Sequence, residues 1–211
     1  PLMLIISASL ALALDSGRLY GTRFFRISIF IPYAVPGVVS TLMWGFLLGT
    51  RYGLFKNVNE LFGTDVDPFS PSSVIVAIGV MISWGSIGYN MLIFYSSLKA
   101  IPTELYEAAA IDGASHWQVD RNIKIPEISG SLSIALIFAI IGSTQLFNEP
   151  QILSKMMGGT GITTNWTPNL YIYDLAFSDS SQGYAAAAAI VMALIVIVAT
   201  FAIQIRSMRR S

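Results

Sequence analysis

The sequence Glu107-Ala108-Ala109-Ala110-Ile111-Asp112-Gly113-Ala114 lies between two strongly apolar segments in a chain that carries few charges. Just before it, Pro102 interrupts any preceding helix, and Thr103 can cap the next helix with its hydroxyl. Just after it, Gly113 tolerates the left-handed conformation that ends helices, and Ser115 can begin a second short helix. The stretch therefore predicts two short helices joined by a turn.

The composition around this stretch is that of a membrane protein. Of the 211 residues, 54% are hydrophobic and 11% are charged, whereas a soluble domain has about 25% charged residues. The net charge is zero, which gives no support to a nucleic-acid surface. Without cysteine, disulfides and thiolate metal sites are excluded, and the single histidine, His116, leaves little for histidine catalysis. No metal site and no catalytic residue is predicted.

Four apolar segments are long enough to cross a bilayer as helices, for which about 20 residues are needed. They run over residues 27–50, 74–98, 128–147 and 183–203. A fifth, 2–14, is shorter, and we expect it to be part of a helix that begins before this N-terminally truncated sequence. The segments are continuously apolar instead of alternating, which favours helices over barrel strands. We predict an all-α, polytopic transmembrane bundle forming a single domain over residues 1–211.

The distribution of Lys and Arg predicts the orientation, because these residues are retained on the cytoplasmic side near helix ends. One set of connections carries nine of them and the other carries three, Arg51, Lys56 and Lys155. The nine are Arg18, Arg23, Arg26, Lys99, Arg121, Lys124, Arg206, Arg209 and Arg210. The stretch around Glu107 and the C-terminus are therefore expected inside the cell.

Together with Ile123 and Pro126, the opening stretch resembles the EAA loop of permease subunits of binding-protein-dependent ABC importers. The family pattern is E-A-A, two residues, D-G-A, five residues, Phe, two residues, Ile, two residues, Pro. The resemblance extends to the sugar permease branch, of the maltose and oligosaccharide type, through residues 24–26, 31–36, 98–102 and 183–185. One position departs from the pattern. Asp120 stands where the family has Phe, so the apolar contact there is expected to be weakened or replaced by a polar one.

The resemblance implies a cytoplasmic helix-turn-helix coupling loop at about residues 99–126, called the EAA loop below, that fits a groove on an ATPase. Leu105, Ala108 and Ala109 form a narrow apolar face suited to a cleft. The residue types alone leave open an amphipathic connector resting on lipid headgroups. The implied ATPase-coupling residues are Glu107, Ala108, Ala109, Asp112, Gly113, Ala114, Ile123 and Pro126.

The same resemblance implies the partners. These are a second homologous permease subunit, a cytoplasmic ATPase dimer that holds ATP and Mg²⁺, and an extracytoplasmic solute-binding protein. This chain has no G-x-x-x-x-G-K-[ST] loop, so the ATPase must be a separate chain. The chain is thus expected to be no enzyme, to bind no cofactor itself, and to lie as a multi-pass protein in a bacterial or archaeal cell membrane.

Polar residues within the apolar segments mark the expected substrate path, because such residues are costly in lipid and usually face a cavity or the bundle interior. Gln145 and Asn148 share a helix face if their helix continues that far. Amides and aromatic rings match the hydroxyls and ring faces of a sugar. Each polar residue could instead hold two helices together by a hydrogen bond. The candidate path residues are Tyr33, Ser83, Ser86, Asn90, Gln145 and Asn148.

These observations predict a membrane-spanning subunit of an ATP-driven importer for a sugar or oligosaccharide. An alternative within the family is a permease for another solute, such as a glycerol phosphate or, given Glu149 near the outer end, a polyamine. An ion-coupled secondary transporter is a weaker alternative, because no Asp or Glu lies deep in any segment. A membrane anchor without transport activity would not need polar residues on consecutive helices.

Overall fold

The computed structural model describes residues 1–17, 19–178 and 181–208, with side chains of the last helix described as far as residue 205. All regular structure in this part is helical, as the sequence predicts. Arg18, Arg209 and Arg210, together with the side chain of Arg206, lie outside the described part. The cytoplasmic placement that they support stays a prediction.

Twelve α-helices follow one another along the described chain. A 3-10 turn at Ile31–Ala34 and a π-helical turn at Asp120–Lys124 interrupt the series. In order, the helices are α1 (Leu2–Asp15), α2 (Thr22–Phe30), α3 (Gly37–Leu48), α4 (Leu54–Phe62), α5 (Val74–Lys99), α6 (Thr103–Ile111), α7 (His116–Val119), α8 (Ile125–Glu127), α9 (Ser129–Thr144), α10 (Asn148–Met156), α11 (Pro168–Phe177) and α12 (Gln182–Met208).

Three helical stretches of the described chain are long and apolar enough to cross a membrane. They are Val74–Lys99, Ser129–Met156 and Gln182–Ile205, and the pair α2 and α3 makes a fourth if it counts as one broken span. The helix α1 is apolar but shorter. The prediction that residues 1–211 form a single domain is not tested by this count and stays a prediction.

The apolar segment 27–50 is not one continuous helix. Its first part ends in the 3-10 turn Ile31–Ala34, and α3 begins only at Gly37. Pro36, which precedes α3, has no N–H to donate and disfavours the helical conformation of the residue before it. Pro36 thus interrupts the helix and, because it has no backbone N–H, leaves one fewer hydrogen-bond donor unpaired at the break.

The described chain folds into two compact units. Unit one comprises Pro1–Ala34, Trp84–Ala139 and the end of α12 from Phe201. Leu4, Ala11 and Leu14 of α1 pack in its core against the second half of α5, including the fully buried Phe94. Because lipid tails are as apolar as these side chains, close packing and hydrogen bonds hold such helices together.

One of these hydrogen bonds joins α1 to α5. Ser7 is completely buried, and its hydroxyl lies 2.8 Å from the carbonyl oxygen of Met3 and 3.1 Å from that of Ile87. Next to Ile87, a Cβ at Gly88 would collide with the backbone carbonyl of Ile29. The absence of a side chain at Gly88 therefore lets the end of α2 lie directly against α5.

Unit two comprises Val35–Ser83 and Ile140–Thr200 of the described chain. Its core contains Phe69, the first half of α5 with Ile78, and the fully buried Leu153 of α10. The helices α3 and α10 pack against each other, where Gly45 leaves room for the thioether of Met156.

Candidate functional site

The helix α6 presents most of its surface to solvent. Glu107, Ala108 and Asp112 are exposed, and Ile111 is 86% exposed although it is a large apolar residue. Tyr106 and Ala109 are the exceptions, because both are half-buried, and Tyr106 packs against the core of unit one. One side of α6 therefore packs against unit one, and the remainder of its surface is exposed.

The start of α6 differs from the prediction. Its N-cap is Pro102, with no side-chain capping bond, so the expectation that Thr103 caps the helix is wrong. Thr103 is already the first helical residue, one position too late to reach the free N–H groups from outside the helix. The backbone carbonyl of Pro102 accepts from the N–H of Leu105 at 3.3 Å.

The end of α6 confirms the prediction that Gly113 stops the helix. Gly113 has φ of +73°. Its N–H donates to the carbonyl of Ala110 at 3.1 Å, and the N–H of Ala114 donates to the carbonyl of Ala109 at 2.9 Å. This pair of bonds is a Schellman motif, which needs the left-handed residue that glycine provides. The angle at which the chain leaves α6 is thereby fixed.

Ser115 begins α7, also as predicted. Its hydroxyl accepts from the N–H of Gln118 at 3.4 Å, while the side chain of Gln118 accepts from the N–H of Ser115 at 2.7 Å. These two bonds form a capping box, which satisfies backbone donors at both positions. The turn between α6 and α7 is thus closed by local bonds on both sides.

A π-helical turn over Asp120–Lys124 follows α7, with the N–H of Ile125 bonded to the carbonyl of Asp120. Pro126 explains the wider turn, since in an α-helix its ring would collide with the carbonyl of residue 122. Ile123 packs partly buried against the core of unit one, whereas Pro126 is exposed.

Four charged side chains meet where α1, α5 and the π-helical turn come together. Asp15 is the last residue of α1, and its Oδ1 lies 2.7 Å from Nζ of Lys99, the last residue of α5. Its Oδ2 lies 3.0 Å from Nζ of Lys124, which also lies 3.1 Å from Oδ1 of Asp120. We call Asp15, Lys99, Lys124 and Asp120 the ionic cluster. At the position where the resemblance implies Phe, the chain thus makes an ion pair.

The ionic cluster shifts the pKa values of its buried members. Burial alone would raise the pKa of Asp15, but hydrogen bonds from Lys99 and Lys124 outweigh it, and the pKa lies below the usual 3.8. Burial would lower the pKa of Lys124, but hydrogen bonds to Asp15 and Asp120 bring it above the usual 10.5. Both groups are therefore charged throughout the neutral range.

Tyr106 lies beside the ionic cluster. Nζ of Lys124 is 5.8 Å from the centre of its ring, and its buried hydroxyl makes no hydrogen bond with any residue that the structure describes. Burial, followed by the nearby charge of Asp15, raises the pKa of the phenol. Tyr106 thus connects α6 to the cluster through its ring and not through its hydroxyl.

In unit one, the predicted path residues lie on α5 and on the 3-10 turn. Tyr33 stacks on Tyr89 of α5, with ring centres 4.8 Å apart. Both rings are partly open, at 49% and 39% exposure. Asn90 is 7% exposed and donates to the backbone carbonyl of Ser86 at 2.9 Å, so both residues take part in a bond within α5.

In unit two, the structure does not place Gln145 and Asn148 on one helix face. The helix α9 ends at Thr144, and Asn148 begins α10, so the condition for sharing a face is not met. Asn148 precedes Glu149 and Pro150 in the first turn of a new helix, a position that suits polar residues and proline. Ser83 is partly buried near the middle of α5.

Gln145 lies instead beside Asn169, which the sequence did not single out. The side-chain amide of Asn169 donates to the backbone carbonyl of Gln145 at 2.8 Å. Both line an open cavity of about 420 Å³ whose other walls are apolar, including Ile172 and Met192. Asn169 follows Pro168 in the first turn of α11, so no periodicity in an apolar segment could have marked it.

The comparisons with known proteins agree on one family. The family described as "Binding-protein-dependent transport system inner membrane component" matches residues 4–210. The diacetylchitobiose uptake system permease protein NgcF of Streptomyces coelicolor is 31% identical, covering 84% of this chain and 51% of the relative. The trehalose/maltose transport system permease protein MalF of Thermococcus litoralis is 33% identical, covering 94% and 66%. The chain thus spans about half to two thirds of the length of these relatives.

A solved structure shows the same fold. A chain in the crystal structure of a bacterial alginate ABC transporter, in complex with an alginate pentasaccharide-bound periplasmic protein, superposes with a TM-score of 0.80. The identity is 20%, and the match covers 98% of this chain and 72% of that one.

Proposed function

Since this chain belongs to the binding-protein-dependent transport system inner membrane component family, we propose that it is a membrane-spanning subunit of an ATP-driven importer for a sugar or oligosaccharide. The relatives named above are permeases for diacetylchitobiose and for trehalose or maltose. The observation that carries the proposal is the exposed helix α6. Its C-terminal end is closed by the N–H bonds of Gly113 and Ala114, and its exposed side carries Glu107 and the small Ala108.

In the proposed complex, the EAA loop docks into a groove of a cytoplasmic ATPase, which binds ATP and Mg²⁺. The small Ala108 and Ala109 permit close approach to the groove, and Glu107 meets backbone N–H or basic groups there. Asp112, Gly113 and Ala114 keep α6 at a fixed angle to α7. Ile123, packed on the core of unit one, and Pro126, at the π-helical turn, set the far end of the loop. The chain itself performs no covalent chemistry.

The proposed partners complete an alternating-access cycle. A second, homologous permease subunit lines the other side of the path, and a solute-binding protein delivers the sugar from outside the cell. ATP binding draws the two EAA loops together and opens the cavity outward, and hydrolysis resets it. This places the subunit in the cell membrane, with the EAA loop and the C-terminus in the cytoplasm.

For the path itself, we propose the partly open aromatic pair of Tyr33 and Tyr89 and the amides of Gln145 and Asn169. An aromatic face packs against the apolar face of a sugar ring, and an amide can both donate to and accept from hydroxyls. Asn148 and Ser83 remain candidates. The side chain of Asn90 is already bonded within α5, which favours a structural role for it, whereas Ser86 contributes only its backbone carbonyl and remains a candidate.

Co-purification of the complete protein with its ATPase tests the proposal. Glu107→Arg and Gly113→Pro are compared with wild type and with Asp65→Arg, a charge reversal at an exposed position of the connection expected outside the cell. We expect the ATPase to be retained by wild type and Asp65→Arg and lost from both loop variants, with equal membrane insertion. A wild-type chain that retains no ATPase would overturn the proposed function.

A further inference from the structure

We propose that Asp15 is a positioning residue that fixes the EAA loop to the ends of α1 and α5, so that a displacement of the loop moves both helices. The inference rests on the proposed function, because it states how the loop acts on the membrane-spanning part of the chain. It concerns a contact inside the chain, whereas the proposed function concerns the contact with the ATPase.

One carboxylate joins three segments that are distant in the sequence. Oδ1 of Asp15 binds Lys99 at 2.7 Å and Oδ2 binds Lys124 at 3.0 Å, so each oxygen holds a different segment. The first distance lies in the range of charge-assisted hydrogen bonds, which are about twice as strong as neutral ones, and the second lies just above that range. The end of α1, the end of α5 and the π-helical turn are therefore tied to a single group.

Burial makes the bond between Asp15 and Lys124 difficult to break, whereas the side chain of Lys99 is 55% exposed and holds Asp15 from the surface. The side chain of Asp15 is 7% exposed and that of Lys124 is 10% exposed. Removing one partner of a buried ion pair leaves an uncompensated charge, which is strongly destabilising. Asp120 supplies a second carboxylate to Lys124, so the two lysines face two carboxylates and the cluster is neutral. A neutral, hydrogen-bonded cluster can persist while the helices around it move together.

The cluster also reaches α6, the proposed ATPase contact. Nζ of Lys124 lies over the ring of Tyr106, and Tyr106 is the residue by which α6 packs on the core of unit one. A force applied to the exposed side of α6 is thus passed to Lys124 and from there to Asp15. Apolar contacts are non-directional and tolerate sliding, whereas charge-assisted bonds fix distance and direction. The pair of Asp120 and Lys124 lies within one turn of the loop and orients Lys124, and the bonds of Asp15 to Lys124 and Lys99 then join the loop to α1 and α5.

A distance measurement in the complete protein tests the inference without any partner chain. Because the sequence has no cysteine, spin labels can be placed at Ala13→Cys in α1 and Ile111→Cys in α6, both exposed. Pulsed electron paramagnetic resonance in lipid nanodiscs is expected to give a single narrow distance distribution. Asp15→Asn should lose this narrow peak, and Asp15→Glu, which keeps the charge, should restore most of it.

Glu127→Gln is the matched control, because it removes one negative charge from an exposed residue three positions beyond Lys124. It is expected to leave the distribution narrow. If Asp15→Asn fails to insert, Asp120→Asn is the milder variant, since Asp120 is 32% exposed and its loss leaves the Asp15–Lys124 pair in place. Its peak should broaden in the same direction. An unchanged narrow peak in a folded Asp15→Asn or Asp120→Asn protein, or equal broadening in Glu127→Gln, would overturn the inference.

A second measurement uses the assembled importer in proteoliposomes, without labels. Asp15→Asn is expected to retain the ATPase and its ATP hydrolysis but to lose transport of the sugar, so that more ATP is hydrolysed per molecule imported. Normal coupling in Asp15→Asn would contradict the positioning role. A wild-type importer that transports no sugar would count against the proposed function alone, and the distance measurement would still decide the role of Asp15.

Discussion

The rings of Tyr33 and Tyr89 are stacked, with their centres 4.8 Å apart and their planes inclined by 15°. This contact joins the 3-10 turn after α2 to the middle of α5. Since both rings are partly exposed, the pair offers an aromatic surface that is held in place on one side and open on the other.

We expect Tyr33→Leu and Tyr89→Leu each to reduce sugar uptake. Each removes a ring pair worth about 0.5–1.5 kcal/mol beyond its buried area, together with the surface proposed to pack against a sugar ring. Uptake of labelled maltose and related oligosaccharides by cells carrying the complete importer measures the effect, at matched expression. Tyr20→Leu is the control, because Tyr20 is 99% exposed. Full uptake in both ring variants would remove the pair from the path.

Gly88→Ala is expected to destabilise unit one, because its Cβ would meet the backbone of Ile29 and Phe30, which cannot move as a flexible side chain can. Overpacking of this kind costs about 1–3 kcal/mol, and the midpoint of thermal unfolding in detergent should fall. Gly85→Ala in the same helix is the matched control, since nothing lies within 4 Å of its Cβ position. It should be neutral or slightly stabilising, because alanine favours a helix over glycine. Equal midpoints for the two variants would contradict the close approach.

Tyr106→Phe should be neutral or stabilising, although tyrosine to phenylalanine at a buried site usually costs stability. The hydroxyl of Tyr106 is buried without a hydrogen-bond partner among the described residues, and such a group costs about 1–3 kcal/mol. Tyr106→Leu also removes the ring beneath Lys124 and should lower the unfolding midpoint. A clear loss of stability in Tyr106→Phe would mean that the hydroxyl has a partner.

The ionic cluster predicts how stability depends on pH. The lowered pKa of Asp15 stabilises the fold above its ordinary value of 3.8, and this contribution is lost as the pH falls through the folded-state pKa. The raised pKa of Lys124 stabilises the fold below 10.5, and that contribution is lost as the pH rises through the folded-state pKa. The difference in unfolding midpoint between wild type and Asp15→Asn should therefore be constant from about pH 5 to about pH 9 and shrink below about pH 4. A difference that varies across the neutral range would exclude this assignment.

The EAA loop could be predicted from the sequence because its signals are local. A left-handed glycine and a capping box act over a few residues, so Gly113 and Ser115 marked their turns correctly. Thr103 misled because hydroxyl capping requires a position just outside the helix, and Pro102 occupies it.

The ionic cluster and the path could not be predicted in the same way. The charge pattern placed Lys99 and Lys124 on one side of the membrane, but pairing both with Asp15 depends on how α1 packs against α5. Gln145 and Asn148, three residues apart, were expected on one face if their helix continued that far, but α9 ends at Thr144 and a new helix begins at Asn148. Contacts between segments that are distant in the sequence produce no regular spacing of residues, so no sequence pattern predicts them.

The break before α3 also bears on how the cell makes this protein. The helix α3 has 12 residues, which at 1.5 Å per residue is about 18 Å, well short of the roughly 30 Å of hydrocarbon. Each of α2 and α3 is therefore too short to cross the bilayer alone, and we expect the two to enter it as one segment. Backbone groups left unpaired at the break are tolerated in the membrane only once neighbouring protein surrounds them. We therefore expect this segment to reach its final shape only once α5, against which the end of α2 lies, has been synthesised.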